Sequence, residues 1–339
     1  MNITRKKMKP SSFFFFFIVL QFLLFNNTYC QQPEFKVMFY NVENLFDTKN
    51  DSTVNDEDFL PTSKKYWTYD RYNVKISNLY KTIVACGQGR IPDLVGMCEI
   101  ENVSCLKSLV LYSSLSAFEY RFVHYESSDP RGIDVALLYN PKTFKVLKHQ
   151  KIGILKDGKT VRTRDILMVT GVILPSDTVV VFVNHWPSRR GGVEKSEVKR
   201  SNVANQLRSI IDSLRETNEN LNVIAMGDFN DTPVDISISK NLGATSCITS
   251  NGFLCNAACW YTSPGTYKFK GDWSVFDQFI LSRPLLKAFP RTISNVFNEP
   301  FLLEDDDVFG GVKPFKTYNG MKYLGGFSDH LPVMLRLRK

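Results

Sequence analysis

The chain has 339 residues, with 42 Lys or Arg against 34 Asp or Glu (formal net charge +8), and it is 43% hydrophobic and 22% charged. That much apolar content excludes a disordered chain, and so small a positive excess permits a polyanionic partner without requiring one. Four of the positive charges and none of the negative ones fall within residues 1–30, so the remainder carries only +4.

Residues 1–30 read as a targeting segment. Arg5, Lys6, Lys7 and Lys9 form a basic start, and an apolar run from Phe13 to Leu20 follows, extended by Phe22 to Phe25. Thr28 and Cys30 are the small residues a signal peptidase needs, which makes Gln31 the new amino terminus and the mature protein periplasmic or secreted. A lipid anchor on Cys30 is the rival reading, weakened by bulky Tyr29 just before it. The run is shorter than the roughly 20 residues that span a bilayer, so no stable membrane span is expected in the mature form. Residues 31–339 show no linker or composition break and read as one domain.

Six cysteines remain, an even count that permits disulfides in an exported protein. Cys247, Cys255 and Cys259 lie together in a loop-like stretch and are the candidates for one bridge. Cys98, inside an apolar run, reads as a buried thiol. No CxxC pair or HxxxH spacing supports a zinc site.

The mature chain opens on an apolar run, Phe35–Tyr40, that reads as a buried strand and ends in Asn41-Val42-Glu43. Strand alternation would put Asn41 and Glu43 on one face, within reach of one cation; capping of a following turn is the alternative. Asp47 to Thr68 reads as a surface insertion, with Lys64-Lys65-Tyr66-Trp67 as a basic and aromatic cluster. A helix is expected over Tyr72–Val84. Leu94–Cys98 is the next strand and delivers Glu99, a strand end entering solvent or a metal ligand, with Glu101 of the same parity competing. Val135–Tyr139 follows Asp134. Val179–Asn184 leads into His185, then Ser188-Arg189-Arg190-Gly191-Gly192, where two guanidinium forks suit phosphate oxygens or simply a solvated turn. A second helix is expected over Glu197–Leu214. Val223–Met226 delivers Gly227-Asp228-Phe229-Asn230, an acceptor and an amide of shared parity able to position a water. Phe276–Leu281 contains Asp277. Last come Ser328-Asp329-His330 and the apolar close Leu331 to Leu335. Strands interleaved with helices argue for an α/β sheet core.

Asn41, Glu99, His185, Asp228-x-Asn230 and Ser328-Asp329-His330, in this order, resemble the endonuclease/exonuclease/phosphatase superfamily, which includes DNase I-like nucleases, sphingomyelinases and inositol polyphosphate 5-phosphatases. Tyr40-Asn41-Val42-Glu43-Asn44-Leu45-Phe46-Asp47 looks like a bacterial branch of it. The resemblance implies a four-layered α/β sandwich, two packed mixed sheets flanked by helices, and Mg2+ or Mn2+ as cofactor. It implies a metal end of Asn41, Glu43, Glu99 and Asp329. It implies a catalytic set of His185, Asp228, Asn230 and His330, with Asp277 orienting His330. Asp134 either orients His185 or is a strand-end salt partner. Arg189, Arg190 and the Lys64–Trp67 cluster suggest a nucleic-acid backbone as substrate. A phospholipid headgroup, with Trp67, Trp260 or Trp273 touching a membrane, or another small phosphoester is the first alternative, and a non-catalytic binding module on the same scaffold is the second. No protein partner is implied.

Overall fold

The computed structural model describes residues 34–249 and 251–339, so the expected targeting segment lies outside the described residues. Two mixed β-sheets face each other. The first is built from β1 (Phe35–Leu45), β2 (Leu94–Ile100), β3 (Arg121–His124), β4 (Asp134–Tyr139), and two strands from the far end of the chain, Ile293–Val296 and Val333–Leu337. Its order is Ile293–Val296, Val333–Leu337, β1, β2, β4, β3. The second sheet contains β5 (Phe144–Ile152), β6 (Ile166–Ile173), β7 (Asp177–His185), β8 (Val223–Asp228), β9 (Thr245–Ser246), β10 (Leu254–Asn256) and β11 (Asp277–Ser282), in the order β9, β10, β11, β8, β7, β6, β5. β1 and β2 run parallel, as do β7 and β8 and the short β9 and β10, and the other pairs within the two sheets are antiparallel. Residues Phe35–Lys339 form one compact unit.

Side-chain alternation sorts the apolar residues into layers. In β7 and β8, Val181, Val183, Ile224 and Met226 join the core between the sheets, whereas Val180, Phe182, Val223 and Ala225 pack under a helix, Val193–Thr217, through its Val203, Leu207 and Ile211. On the other side, the helix Tyr69–Cys86 starts at a Thr68 cap, whose side chain accepts from the Arg71 amide, and buries Ile76, Leu79 and Ile83. The result is the expected four-layered sandwich. Strands covered on both faces read as unbroken apolar runs, which is why β1, β2, β7 and β8 stood out in the sequence. β5 did not: it is mostly exposed, with Lys145, Lys148 and Lys151 along it.

The 47–68 insertion is only partly a surface feature. Trp67 is fully buried, its ring packed edge-on to Phe59 and its Nε1 donating to the Phe46 carbonyl at 3.0 Å. Trp67 therefore neither stacks on a base nor touches a membrane; Trp260 and Trp273 are half-buried against the core. Cys247 and Cys255 form a disulfide, leaving Cys259 free, and Cys98 is the buried thiol its surroundings suggested.

One glycine controls how the site-bearing strand ends meet. Gly227, opposite Asn184 across the parallel β7–β8 pair, is packed so closely that a Cβ would lie 2.5 Å from the Asn184 carbonyl oxygen and 2.7 Å from its Cβ. The Asn184 side chain fills that space and donates to the Met226 carbonyl at 3.3 Å. Gly227→Ala must push the strands apart, and overpacking of this kind costs about 1–3 kcal/mol. Urea unfolding of the variant is expected to show that loss; a midpoint equal to the parent's would refute the close-approach argument.

Candidate active site

The alternation that fills the inter-sheet core continues past its apolar end. His185 shares parity with Val181 and Val183, Asp228 with Ile224 and Met226, and Asp277 with Phe279 and Leu281, so all three emerge on the face toward the other sheet. Register then aligns them: Asp228 is the Cα partner of both His185 and Asp277. Asn41 approaches from the facing sheet, and its Nδ2 donates to Asp228 Oδ2 at 3.0 Å.

His330 reaches the same point from the segment leading into the last strand. Its backbone N–H donates to Ser328 Oγ at 3.1 Å, and Ser328 Oγ donates to the Asn41 carbonyl at 2.7 Å. Its ring is held through Nδ1 by Asp277 Oδ2 at 2.7 Å, with Nε2 3.8 Å from Asp228 Oδ2. Tyr267 covers the ring at 4.8 Å between centroids. Asn230 donates from Nδ2 to the Trp186 carbonyl at 3.1 Å, and its own amide donates to Asp228 Oδ1 at 2.9 Å.

These groups surround an open cavity of about 650 Å3 that is also lined by Glu99, Asp329, Arg131, Arg189, Arg190, Phe269 and Phe276. Burial works against a charge on His330, but Asp277, Asp228 and Asp329 outweigh it and raise its pKa well above the ordinary imidazole value. His185 moves the opposite way, lowered by burial and then by Arg164, Arg131 and His330. Burial, against the pull of His330, pushes the Asp228 carboxyl up to about 7. Asp329 is raised by burial and by the charge of nearby Glu99.

A cation fits the Glu99–Asp329 end. Both carboxylates open onto the cavity and repel one another, and Asn41 adds an amide oxygen nearby. An all-oxygen set suits a hard divalent ion. Asp228, Asp277 and His330 also bring ligand-capable atoms within 4.8 Å of one another, but Asp277 and His330 are already spent on each other.

Three sequence assignments change. Glu43 is not in the cavity: Glu43 and Asn44 have φ of 50° and 55°, and this irregularity at the end of β1 breaks the parity that would have put Glu43 beside Asn41. Its carboxylate turns away to accept the amides of Thr317 at 2.6 Å and Tyr318 at 3.3 Å. Asp134 does not orient His185. It accepts from the Ser127 amide at 2.7 Å and meets His124 Nε2 at 3.2 Å, while the buried Nδ1 of His185 has no hydrogen-bond partner among the described residues. Arg189 lines the cavity, yet it is engaged by the Asn230 carbonyl at 2.9 Å, Asp231 at 2.9 Å and Asp235 at 2.6 Å, and so braces the Asn230 turn. Arg190 is exposed at the rim. Glu101, the rival of Glu99, accepts the Asp47 amide at 2.6 Å instead.

Arg131 was missed. It lines the cavity with a side chain 44% exposed, its Nε 3.7 Å from Asp129 Oδ1. Asp129 also holds Arg164 at 2.8 Å, and Arg164 donates to the carbonyls of His185 at 3.3 Å and Trp186 at 2.7 Å. The one sequence signal was Gly132 beside it, whose φ of +64° makes the turn.

The family model described as Endonuclease/Exonuclease/phosphatase family matches residues 36–339. The chain belongs to that family. Its enzymes hydrolyse phosphoesters and use divalent metals. A family protein from Bacteroides thetaiotaomicron has a similar structure at 16% identity, covering 91% of this chain and 98% of that one with a TM-score of 0.57. A mannosyl-6-phosphatase from the same organism is similar at 16% identity over 89% and 98% of the two chains, TM-score 0.57. D. rerio TDP2 complexed with single-strand DNA product is similar at 16% identity over 91% and 100%, TM-score 0.54. No curated protein matches in sequence.

The two histidines should titrate apart. Imidazole NMR is expected to find His330 protonated above the ordinary range and His185 neutral below it. A raised imidazole pKa stabilises the fold in full below the unfolded value and loses that contribution as pH rises through the folded one. Asp277→Asn therefore moves the His330 titration to lower pH and lowers stability at neutral pH. An unmoved titration would mean that Asp277 does not set the His330 charge.

Proposed function

We propose that this protein is a Mg2+- or Mn2+-dependent phosphodiesterase acting on nucleic-acid backbones, exported to an oxidising compartment. The observation that carries the reading is the buried Asp277–His330 pair at 2.7 Å beside Asp228, opening onto the same cavity as Glu99 and Asp329. This combination offers a cationic hydrogen-bond donor, a carboxylate acceptor and a cation end around one space.

In this reading Glu99, Asp329 and Asn41 hold the metal, which when bound supplies Lewis-acid polarisation of a phosphoryl oxygen. Asp228 aligns a water and takes its proton as the water oxygen bonds to phosphorus. Asn41 and the Asn230 amide fix the Asp228 carboxylate for that task. His330, charged by Asp277, donates to a non-bridging oxygen as negative charge builds there. His185, neutral and across from Glu99 at 3.8 Å, offers a hydrogen bond to the oxygen whose bond to phosphorus breaks, and that oxygen leaves as an alkoxide that takes its proton from solvent. Arg131 and Arg190 at the rim are placed for neighbouring phosphates, and exposed Phe269 offers a ring face to a base. Burial of Trp67 removes one support from the phospholipid alternative and, equally, the stacking ring of the Lys64–Trp67 cluster from the nucleic-acid reading, which rests instead on the cavity rim. The Cys247–Cys255 disulfide favours export.

Hydrolysis of plasmid DNA and RNA with Mg2+ or Mn2+, run beside headgroup release from sphingomyelin and phosphate release from sugar monophosphates, tests the substrate class. No cleavage of nucleic acid with any divalent metal would overturn the nuclease reading. His330→Ala and Asp228→Ala are each expected to lower kcat by about 100- to 1,000-fold, the usual effect of losing one such group. Arg131→Ala is expected to act mainly on KM for oligonucleotides and to reduce the salt dependence of binding by about one phosphate contact. Equal loss on a small phosphodiester lacking neighbouring phosphates would refute that role.

A further inference from the structure

Lys75 lies in the helix Tyr69–Cys86 with its side chain fully buried, a placement that is costly for a lysine unless its charge is used. It does not line the catalytic cavity. Its Nζ donates to Thr317 Oγ1 and to the Phe327 carbonyl, both at 2.6 Å, and lies 3.9 Å from Glu43 Oε2. Glu43 in turn accepts the Thr317 and Tyr318 amides. One turn further along the helix, Asn78 donates to the carbonyls of Gly325 at 3.1 Å and Gly326 at 3.0 Å.

All of these bonds fasten the same segment, residues 315–328, and that segment delivers Asp329 and His330. The Phe327 carbonyl held by Lys75 is two residues from the Asp329 carboxylate. The segment's own bonds, Phe327 to Phe315 and Leu324 to Thr317, are local, and its tie to β1 on the cavity side is the bond from Ser328 Oγ to the Asn41 carbonyl at 2.7 Å. Lys75 and Glu43 add a second anchor on the far side of the segment, one from the helix and one from the irregular end of β1.

We propose that Lys75 is a positioning residue for the cation end: paired with Glu43 behind the cavity, it sets where Asp329 stands relative to Glu99 and so sets the affinity for the divalent ion. The inference rests on the reading of Glu99 and Asp329 as the cation site. Two opposite effects follow from a buried ammonium behind carboxylates. As a bare charge it repels a metal, so its removal would tighten binding. As a positioning group it places a ligand, so its removal loosens binding, and outer groups of that kind are worth about 10- to 100-fold in affinity. Its direct bonds to the Asp329-bearing segment favour the second.

The test is Mn2+ binding to the full chain, by calorimetry and by the metal-induced shift in melting temperature. Lys75→Met is expected to weaken Mn2+ by about tenfold or more. That variant also leaves Glu43 buried without its cation and is expected to melt earlier even without metal. The double variant Lys75→Met/Glu43→Gln removes both charges, keeps an acceptor for the Thr317 amide, and is expected to recover metal-free stability while Mn2+ binding stays weak. Folded double variant with Mn2+ affinity equal to the parent's, or tighter, would overturn the proposal. Glu99→Gln and Asp329→Asn serve as controls: if neither weakens Mn2+ in the otherwise unchanged protein, the cation site itself has been misplaced, and the failure lies with that reading.

Discussion

The Asp277–His330 hydrogen bond is the interaction on which the site depends. Asp277 begins a strand of one sheet, whereas His330 leads into a strand of the other, so the bond joins the two sheets where their apolar core ends. Asn41 and Asp228 make a second such join beside it. Elsewhere the sheets are held by Phe39, Val183, Met226 and Phe279, which have no directional preference. At the site end the apolar contacts are replaced by ion pairing and hydrogen bonds, which do. Removing one partner of a buried pair costs about 3–5 kcal/mol because the other charge is stranded. The same two groups thus close the sandwich and charge the histidine, and neither role can be lost without the other.

That bond also divides the cavity electrically. His330 is hydrogen-bonded to Asp277 and its pKa is raised, whereas His185 lies 3.6 Å from Asp228 and 3.8 Å from Glu99 with its pKa lowered by burial and then by Arg164 and Arg131. Two imidazoles, one ending a strand of the second sheet and the other leading into a strand of the first, therefore lean toward different chemistry, a charged donor on one side and a neutral ring on the other. The difference comes from what faces each ring rather than from the rings themselves.

The sheets and most of the site were legible because both depend on period-two alternation. His185, Asp228 and Asp277 follow directly from apolar strands whose parity carries past the last apolar residue, and Gly227 marks where two backbones approach. Legibility ended where the backbone left the extended region. Glu43 has the parity of Asn41, but a left-handed turn sends it to Thr317. Asp134 sits at a strand start, as expected, yet its partner His124 comes from the neighbouring strand, and a chain of residue types cannot reveal which histidine a carboxylate faces. Arg131 and Lys75 lay in stretches that look like an ordinary turn and an ordinary amphipathic helix; only the place of Arg131 on the cavity wall and the bonds of Lys75 to residues 317 and 327 give them meaning.

The left-handed residues around the cavity show what holds it open. Glu43, Asn44, Glu99 and Asn230 all have φ between 50° and 64°, which costs a residue with a Cβ about 1–2 kcal/mol. Glycine would remove that cost at each position but would also remove a side chain or a contact the site uses. Instead, the strain is offset locally: the Glu43 amide donates to Asn41 Oδ1 at 3.0 Å, the Asn44 amide to Glu99 Oε2 at 2.9 Å, and the Asn230 amide to Asp228 Oδ1 at 2.9 Å. Each acceptor is itself a group of the cavity. The turns are therefore held by the site's own side chains, and those side chains are aimed by the turns they hold, so that the strand ends are fixed in place before a substrate arrives.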